Sequence, residues 1–326
     1  MSDAVSVSIV MACYNGERFL AETLRSAIAQ TKPPLEILVV DDGSTDGSAA
    51  IGESFGAPVR VIRQVNQGEA VARNRGIAEA KGTHILFLDA DDLLAPESLE
   101  RLAAAVGSSP DAVSVMGCAW FTTDPGAPYF TKDALASSFF PHIIEENLAP
   151  IHCWLVPTRL IRDAEGFVET LHWFEDWDLW WRIGMRASSL TSVAYAGALY
   201  RQHRQSQLAT TKKQDRARGH ADVIVRLADA LMARPDLLDR YAERLFWSLW
   251  SALNHCREAG LEWSAVDDVV QRLAALSRSG PESLRRSRSA RTFRWLGVKN
   301  GYTLQRLKPR RSPATDAASE PQHRRA

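Results

Sequence analysis

Apolar and polar positions along the first 205 residues predict an alternation of strands and helices. Short apolar runs are each followed by a longer segment whose apolar side chains recur at helical spacing. Such alternation is typical of an α/β domain with a mainly parallel sheet and helices on both faces. The predicted strands are residues 5–12, 35–40, 59–64, 85–88, 112–121, 151–156 and 192–201. The predicted helices begin at Gly16, Asp46, Glu69, Pro96, Pro157 and Glu175.

The remainder of the chain differs from this sheet region. From residue 205 to residue 279 the apolar positions keep helical spacing, which predicts a helical accessory region. Between Arg285 and Arg311 there are ten Arg or Lys residues and no acidic residue, and residues 312–326 are rich in Pro, Ala and Ser. A segment of such composition buries too little apolar surface to fold. We therefore expect an α/β domain at 1–204, a helical region at 205–280 and a basic, partly disordered tail at 281–326.

The composition of the whole chain is that of a soluble globular protein. Apolar residues make up 45% of the chain and charged residues 24%, and the 39 Lys and Arg residues balance the 39 Asp and Glu residues. Because the chain has no net field, no nucleic-acid partner is expected. The four cysteines are scattered, and the sequence shows neither a signal-peptide pattern nor a run of about 18 apolar residues. These features favour a cytoplasmic protein.

Three carboxylates follow the apolar run 85–88 within four residues: Asp89, Asp91 and Asp92. In open α/β sheets, ligands bind beyond the carboxyl ends of the strands, which is where these side chains are expected. So much negative charge is costly unless a cation neutralises it, and hard cations such as Mg²⁺ and Mn²⁺ prefer carboxylate oxygen. The segment therefore predicts a site for a metal and a nucleotide diphosphate. The alternative is an acidic turn that caps the helix beginning near Pro96.

Polar segments also follow the other predicted strands, so one edge of the sheet is expected to collect them. A nucleoside diphosphate needs a carboxylate for the imide N–H of its base, which Asp42 offers. Its phosphates need positive charge, which Arg73 and a metal on Asp91 offer. Each segment also has a purely structural interpretation as a turn or a helix cap. The segments are 12–16, 39–47, 66–68 with 73–74, and 89–92.

These segments together resemble glycosyltransferase family 2, whose members are inverting enzymes with a GT-A (Rossmann-like) fold. The resemblance covers about residues 5–205 and includes 174–179, which look like the family's acidic motif. It implies a nucleotide-sugar donor (UDP-sugars first), Mg²⁺ or Mn²⁺, and single displacement onto a saccharide or lipid-linked acceptor in cell-envelope polysaccharide, glycolipid or glycoconjugate synthesis. It places donor contacts at Tyr14, Asp42, Arg73, Asp89 and Asp91, metal ligands at Asp91 and His203, and the general base at Asp176.

Asp176 stands among aromatic residues, an apolar setting that raises the pKa of a carboxyl group. An acceptor hydroxyl is a poor nucleophile unless such a carboxylate takes its proton. Glu175 and Asp178 compete for this role, and an acid at the first turn of a helix is also explained by the helix dipole. The tryptophans at 177, 180 and 181 have helical spacing, which favours core positions over a sugar-stacking platform.

Two other functions remain open on the sequence. A non-catalytic nucleotide-sugar-binding protein would use the same donor residues without turnover. A phosphatase with an aspartate nucleophile also carries Asp-x-Asp after an apolar strand, but Thr or Val usually stands where this chain has Leu93, and Asp42 has no role in it. The basic segment 285–311 likewise has two interpretations, a peripheral contact with anionic lipid at the inner face of the membrane or a solvated tail.

Overall fold

The computed structural model describes residues 5–107, 109, 111–133, 139–203, 211–287 and 290–291. The chain divides into two compact units, Met1–Leu273 and Ala274–Ala326. The first unit holds the sheet and most of the helices. Most of the basic segment 285–311 lies outside the described residues, and so does 204–210, where the boundary between the first two predicted parts falls. The predicted division into three parts therefore stays a prediction.

One nine-stranded sheet organises the first unit, in the order β3-β2-β1-β4-β8-β6-β9-β5 with β7 paired to β6. Strands β1 to β4, β6 and β9 run in one direction, and β5, β7 and β8 run in the other. The predicted α/β class with a mainly parallel sheet is confirmed. The strands are β1 (Val7–Cys13), β2 (Glu36–Asp41), β3 (Val59–Arg63), β4 (His84–Phe87), β5 (Leu93–Leu94), β6 (Ala112–Phe121), β7 (Phe130–Lys132), β8 (Trp154–Pro157) and β9 (Ser189–Arg201).

Eleven α-helices are present among the described residues. Seven of them accompany the strands: α1 (Leu20–Ile28), α2 (Ser48–Phe55), α3 (Glu69–Glu79), α4 (Ser98–Val106), α5 (Phe139–Ile143), α6 (Thr158–Asp163) and α7 (Glu175–Gly184). The other four follow the sheet: α8 (Lys213–Met232), α9 (Pro235–Glu258), α10 (Asp267–Ser279) and α11 (Glu282–Arg286). The predicted helical region is thus observed, and none of the described helices has the length and apolar character that a membrane span needs.

The central strands are buried on both faces, as their continuous apolar runs predict. Every residue of β2 and of β4 is buried. Helix α3 crosses β1 closely because it carries Gly76, where a Cβ atom would come within 2.3 Å of Val10 Cγ1. This close packing fixes α3 against the sheet and directs its first turn towards the carboxyl edge. That edge carries the candidate site.

Candidate active site

The loops that follow β1 and β2 are joined by reciprocal hydrogen bonds. The backbone N–H of Asn15 donates to Ser44 Oγ (3.0 Å), and the N–H of Thr45 donates to Asn15 Oδ1 (2.8 Å). Gly43 adopts a φ of 76°, and a Cβ atom at this position would lie 2.8 Å from the backbone nitrogen of Asn66. Only glycine adopts this φ without strain and also allows the backbone of Asn66 to come so close. Gly43 therefore fixes the conformation of the loop next to the preceding carboxylate.

That carboxylate is Asp42, which is buried at the carboxyl end of β2. Its Oδ1 accepts hydrogen bonds from Gln64 Nε2 (2.8 Å) and from the N–H of Gln67 (2.9 Å). Its Oδ2 accepts one from the N–H of Gly68 (2.8 Å). A carboxylate has about four acceptor positions, and the described residues occupy three of those of Asp42. Tyr14, in the neighbouring loop, is 55% exposed and so is open to a ligand.

Helix α3 begins directly after Gly68 and carries Arg73 one turn later. The Arg73 side chain is 4% exposed, and it forms ion pairs with three carboxylates. It donates to Asp89 Oδ1 (2.7 Å), to Glu175 Oε1 (2.8 Å) and to Glu69. Burial opposes the charged guanidinium, but the three carboxylates outweigh it and raise the pKa of Arg73. Arg73 therefore connects the acids after β4 with the first turn of α7.

The acidic residues after β4 have different surroundings. Asp91 Oδ2 and His203 Nε2 are 2.9 Å apart, and the His203 ring packs on Phe19. Asp92 is buried, and its Oδ1 accepts the backbone N–H of Arg201 (2.7 Å). Burial and the adjacent carboxylates raise the pKa of Asp92 well above its ordinary value. Asp91 is thus the more accessible of these two carboxylates.

These residues fit a hard divalent cation. Carboxylate oxygen and imidazole nitrogen are both ligands that Mn²⁺ accepts. The ligand atoms of Asp89, Asp92 and His152 also lie within 4.8 Å of one another. His152 is fully buried, and neither of its ring nitrogens has a hydrogen-bond partner within the part of the chain that is described, although Nδ1 is 3.3 Å from Asp92 Oδ2. Asp89, Asp92 and His152 therefore form a second possible donor set at this edge, beside Asp91 and His203, the two ligands that the sequence predicted.

Asp176 lies in the first turn of α7, next to Glu175. Its Oδ2 accepts a hydrogen bond from Asn147 Nδ2 (2.8 Å), and its Oδ1 accepts the N–H of Trp177 (2.7 Å). Burial, followed by the charge of Glu175, raises the pKa of Asp176 to about 7. A carboxyl group with this pKa can take a proton near neutral pH and release it again.

The other acids of this turn are engaged elsewhere. Glu175 is paired with Arg73, as described above. Asp178 is fully buried, and it accepts from Arg182 Nε (2.7 Å) and from Arg226 Nε (2.7 Å). Asp178 therefore serves packing, whereas Asp176 has no ion pair among the described residues. The tryptophans at 177, 180 and 181 are at most 3% exposed, so they belong to the core.

Comparison with known proteins relates part of this chain to glycosyltransferases. The family model described as glycosyl transferase family 2 matches residues 8–156. An uncharacterized glycosyltransferase of Rickettsia typhi, RT0329, is 31% identical over 193 residues, which are 56% of this chain and 60% of that protein. The match to the family model covers less than half of the chain and relates residues 8–156 to glycosyltransferase family 2. An uncharacterized glycosyltransferase of Bacillus subtilis, EpsJ, is 37% identical over 118 residues, 35% of this chain and 34% of its own.

The chain thus spans 60% or less of the length of these two curated relatives. Its fold also resembles solved structures over greater lengths. Residues 1–349 of Staphylococcus aureus TarS, in complex with UDP-GlcNAc, superpose with a TM-score of 0.62 at 19% identity over 86% of this chain and 82% of that one. The mannosyltransferase PcManGT of Pyrobaculum calidifontis, in complex with GDP-Man and Mn²⁺, superposes with a TM-score of 0.54 at 17% identity over 91% and 81%. The predicted GT-A fold is confirmed.

The structure brings the predicted site residues to one edge of the sheet. The family resemblance predicts which of these residues contact the base, the ribose, the phosphates and the metal, and which one takes a proton. These roles stay predictions. Two residues that the sequence did not single out for the site also belong to this edge: Glu69 and Asn147. Glu69 stands four residues before Arg73, a helical spacing that favours an ion pair and so gives a sequence signal. Asn147 lies in an irregular segment and has no such signal.

Proposed function

We propose that this protein is an inverting glycosyltransferase that moves a sugar from a nucleotide-diphosphate sugar to an acceptor hydroxyl by metal-assisted single displacement. One observation carries the proposal: a continuous set of contacts joins Asp42, Asp89 and the first turn of α7. Gly68 bonds to Asp42, α3 follows, and Arg73 contacts both Asp89 and Glu175. A donor held at Asp42 and Asp91 would thus have its sugar near Asp176.

Asp42 accepts the imide N–H of the base, and the exposed Tyr14 ring packs beside it. Uracil has such an imide, and UDP-sugars are our first choice of donor. TarS, which shares the fold, was solved with UDP-GlcNAc, whereas PcManGT was solved with GDP-Man and Mn²⁺. Asp89 accepts from the ribose hydroxyls, because its Oδ2 is not used by Arg73.

Asp91 and His203 hold the cation, Mn²⁺ or Mg²⁺. When bound, the cation stabilises the negative charge of the departing nucleotide diphosphate. Asp91 can bring its carboxylate to the cation because its side chain is 35% exposed, against 3% for Asp92. Asp92, bonded to the Arg201 backbone, keeps the 89–92 turn in position beneath it.

Asp176 takes the proton of the acceptor hydroxyl as that oxygen attacks the anomeric carbon. The sugar–phosphate bond breaks on the opposite side, so the configuration at this carbon is inverted. The acceptor is a saccharide or a lipid-linked saccharide of the cell envelope. The enzyme would work in the cytoplasm, with segment 285–311 as a contact to the inner face of the membrane.

The proposal is tested in two steps with the full chain. The melting temperature is first measured with UDP-, dTDP- and GDP-sugars in the presence of Mn²⁺, because a ligand that binds the folded state raises it. The donor that binds is then incubated with saccharide and lipid-linked acceptors, and nucleotide release and the anomeric configuration of the product are measured. Binding without turnover on any acceptor would favour a non-catalytic nucleotide-sugar-binding protein, and a product of retained configuration would contradict the single displacement.

A further inference from the structure

We propose that Asn147 is a positioning residue for Asp176: its side-chain amide fixes the orientation of the carboxylate and favours the ionised form that accepts a proton. This inference rests on the proposed function, in which Asp176 is the base. Asn147 lies in the segment between α5 and β8, and its sequence surroundings match neither the donor motifs nor the acidic motif of α7. The structure alone brings the two residues together.

The hydrogen bonds of Asp176 come from two different elements. Trp177 donates its backbone N–H to Oδ1 (2.7 Å) and thereby holds the carboxylate against its own helix. Asn147 donates Nδ2 to Oδ2 (2.8 Å) from a separate segment, 29 positions earlier in the chain. Two donors on two oxygens leave the carboxylate a single orientation, and a hydrogen bond to the charged form favours that form. A fixed base within reach of its proton is what general base catalysis requires.

The oxygen atom of the Asn147 amide also supports this interpretation. Asn147 Oδ1 is buried, and no donor reaches it among the residues that the structure describes. A buried acceptor without a partner is costly, and such groups in native proteins usually have a functional explanation. The amide keeps this arrangement because its N–H group is held by Asp176. When Asp176 has taken a proton, the amide can turn over and present Oδ1 to the new O–H.

The charges around Asp176 act in opposite directions. Burial and the neighbouring Glu175 favour the protonated form, whereas Arg73 and the Asn147 amide favour the ionised form. On the α8 side, His220 stacks on Trp177 at 5.3 Å, and burial lowers the pKa of His220 to about 3, so this imidazole is neutral in the assay range. Removing the Asn147 amide should therefore raise the pKa of Asp176, because one of the two groups that favour the ionised form is lost.

The experiment compares Asn147→Leu, which keeps the branched shape of the side chain but forms no hydrogen bond, with Asn147→Asp, which adds a second negative charge. The pH profile of kcat/KM is recorded for donor and acceptor between pH 5.5 and about 9. We expect the acid limb of both variants to move to higher pH. A shift of one unit lowers the rate about tenfold on that limb, and little is lost above it. Donor affinity should not change, because Asn147 contacts none of the predicted donor residues.

A second readout does not depend on turnover. The pKa of Asp176 is measured by NMR of ¹³C-labelled aspartate carboxyls, with Asp176→Asn identifying its signal, and it should rise in both variants. Asn254→Leu, which removes an amide from α9 that does not contact Asp176, is the matched control and should leave the pKa and the profile unchanged. A uniform loss at every pH with an unchanged pKa would overturn the proposal. Absence of transfer by the wild-type chain would instead reject the proposed function, and the NMR result would still decide the role of Asn147.

Discussion

Arg73 and Glu175 are 102 positions apart in the sequence, and their side chains form an ion pair of 2.8 Å. Through this pair α3, which begins beside Asp42, is joined to the first turn of α7, which carries Asp176. The same guanidinium contacts Asp89 at 2.7 Å. The proposed donor side and the proposed acceptor side of the site thus share the buried guanidinium of Arg73, so a change at Arg73 should affect the position of both.

Arg73→Met should destabilise the protein. The substitution leaves Glu69, Asp89 and Glu175 without their common cation, and breaking a buried ion pair in this way costs about 3–5 kcal/mol. We expect the lower part of that range, since the side chains of Glu69 and Asp89 are 37% and 27% exposed and can be hydrated. The melting temperature should fall by roughly 6–12 °C.

Arg75→Met is the matched control for that experiment. Arg75 is on the same helix, its side chain is 54% exposed, and it pairs with Glu79 at 3.1 Å. An exposed pair contributes less than about 1 kcal/mol, so the melting temperature should change by a few degrees at most. Equal effects of the two substitutions would mean that the Arg73 cluster does not connect α3 with α7.

Asp178→Asn separates structural from chemical roles in α7. The substitution leaves the buried Arg182 and its neighbour Arg226 facing an uncharged amide, and we expect a loss of about 3–5 kcal/mol in the free energy of unfolding. Urea denaturation measures this loss. Asp163→Asn, at an exposed pair with Arg159, should cost less than about 1 kcal/mol. At a temperature where Asp178→Asn is folded, its pH–rate profile should match that of the wild type, and a displaced profile would assign Asp178 a part in the chemistry.

Asp176→Asn should lower kcat by about 10²–10⁴-fold, because the amide cannot accept the proton of the acceptor hydroxyl. The variant should fold, since the Asn147 amide can turn over and offer its unpartnered Oδ1 to the new NH₂ group. Donor affinity, measured by calorimetry, should be unchanged. Retained turnover in this variant would pass the role of base to another residue, with Glu175 as the first to examine.

The sequence predicted the sheet better than it predicted the contacts within the site. Where an apolar run was long enough to show a period, it predicted the strand. Both ends of β6 were predicted correctly, and the ends of the other predicted strands to within three residues. Strands β5 and β7 were missed because a strand of two or three residues is too short to show a period. Residues 151–153 form a 3₁₀ turn before β8, where a longer strand was predicted.

The same difference holds for the candidate site, where single residues were predicted but the contacts between distant residues were not. Asp42, Asp91 and Asp176 could be proposed because each follows a strand or opens a helix within a recognisable motif. The Arg73–Glu175 ion pair and the Asn147–Asp176 contact could not, because they join residues 102 and 29 positions apart, and no local pattern encodes such a pairing. The sequence also could not show which acid of α7 lacks an ion pair among the described residues, because one partner of Asp178, Arg226, lies in α8.

The stability of the protein should depend on pH through Asp176. Its pKa is about 7 in the folded protein and about 3.8 in the unfolded chain, so between these values the folded state holds the proton that the unfolded state has lost. The free energy of unfolding contributed by this group therefore falls as pH rises from about 4 to 7. Asp176→Asn removes this dependence. Its melting temperature should exceed that of the wild type at pH 8 by several degrees, and the difference should disappear at pH 4, whereas a constant difference would place the group outside the buried site.

Removal of the metal ligands should separate cation binding from folding. Asp91→Asn removes the negative charge of one predicted ligand and His203→Ala removes the nitrogen donor of the other, and both changes weaken the binding of Mn²⁺. Free Mn²⁺ is measured by electron paramagnetic resonance in the presence of UDP, and we expect both variants to bind the ion at least about tenfold more weakly. His172→Ala, at an exposed position before α7, is the control and should bind as the wild type does. If His152→Ala alone weakened binding, the cation would lie instead among Asp89, Asp92 and His152, whose ligand atoms are also close together.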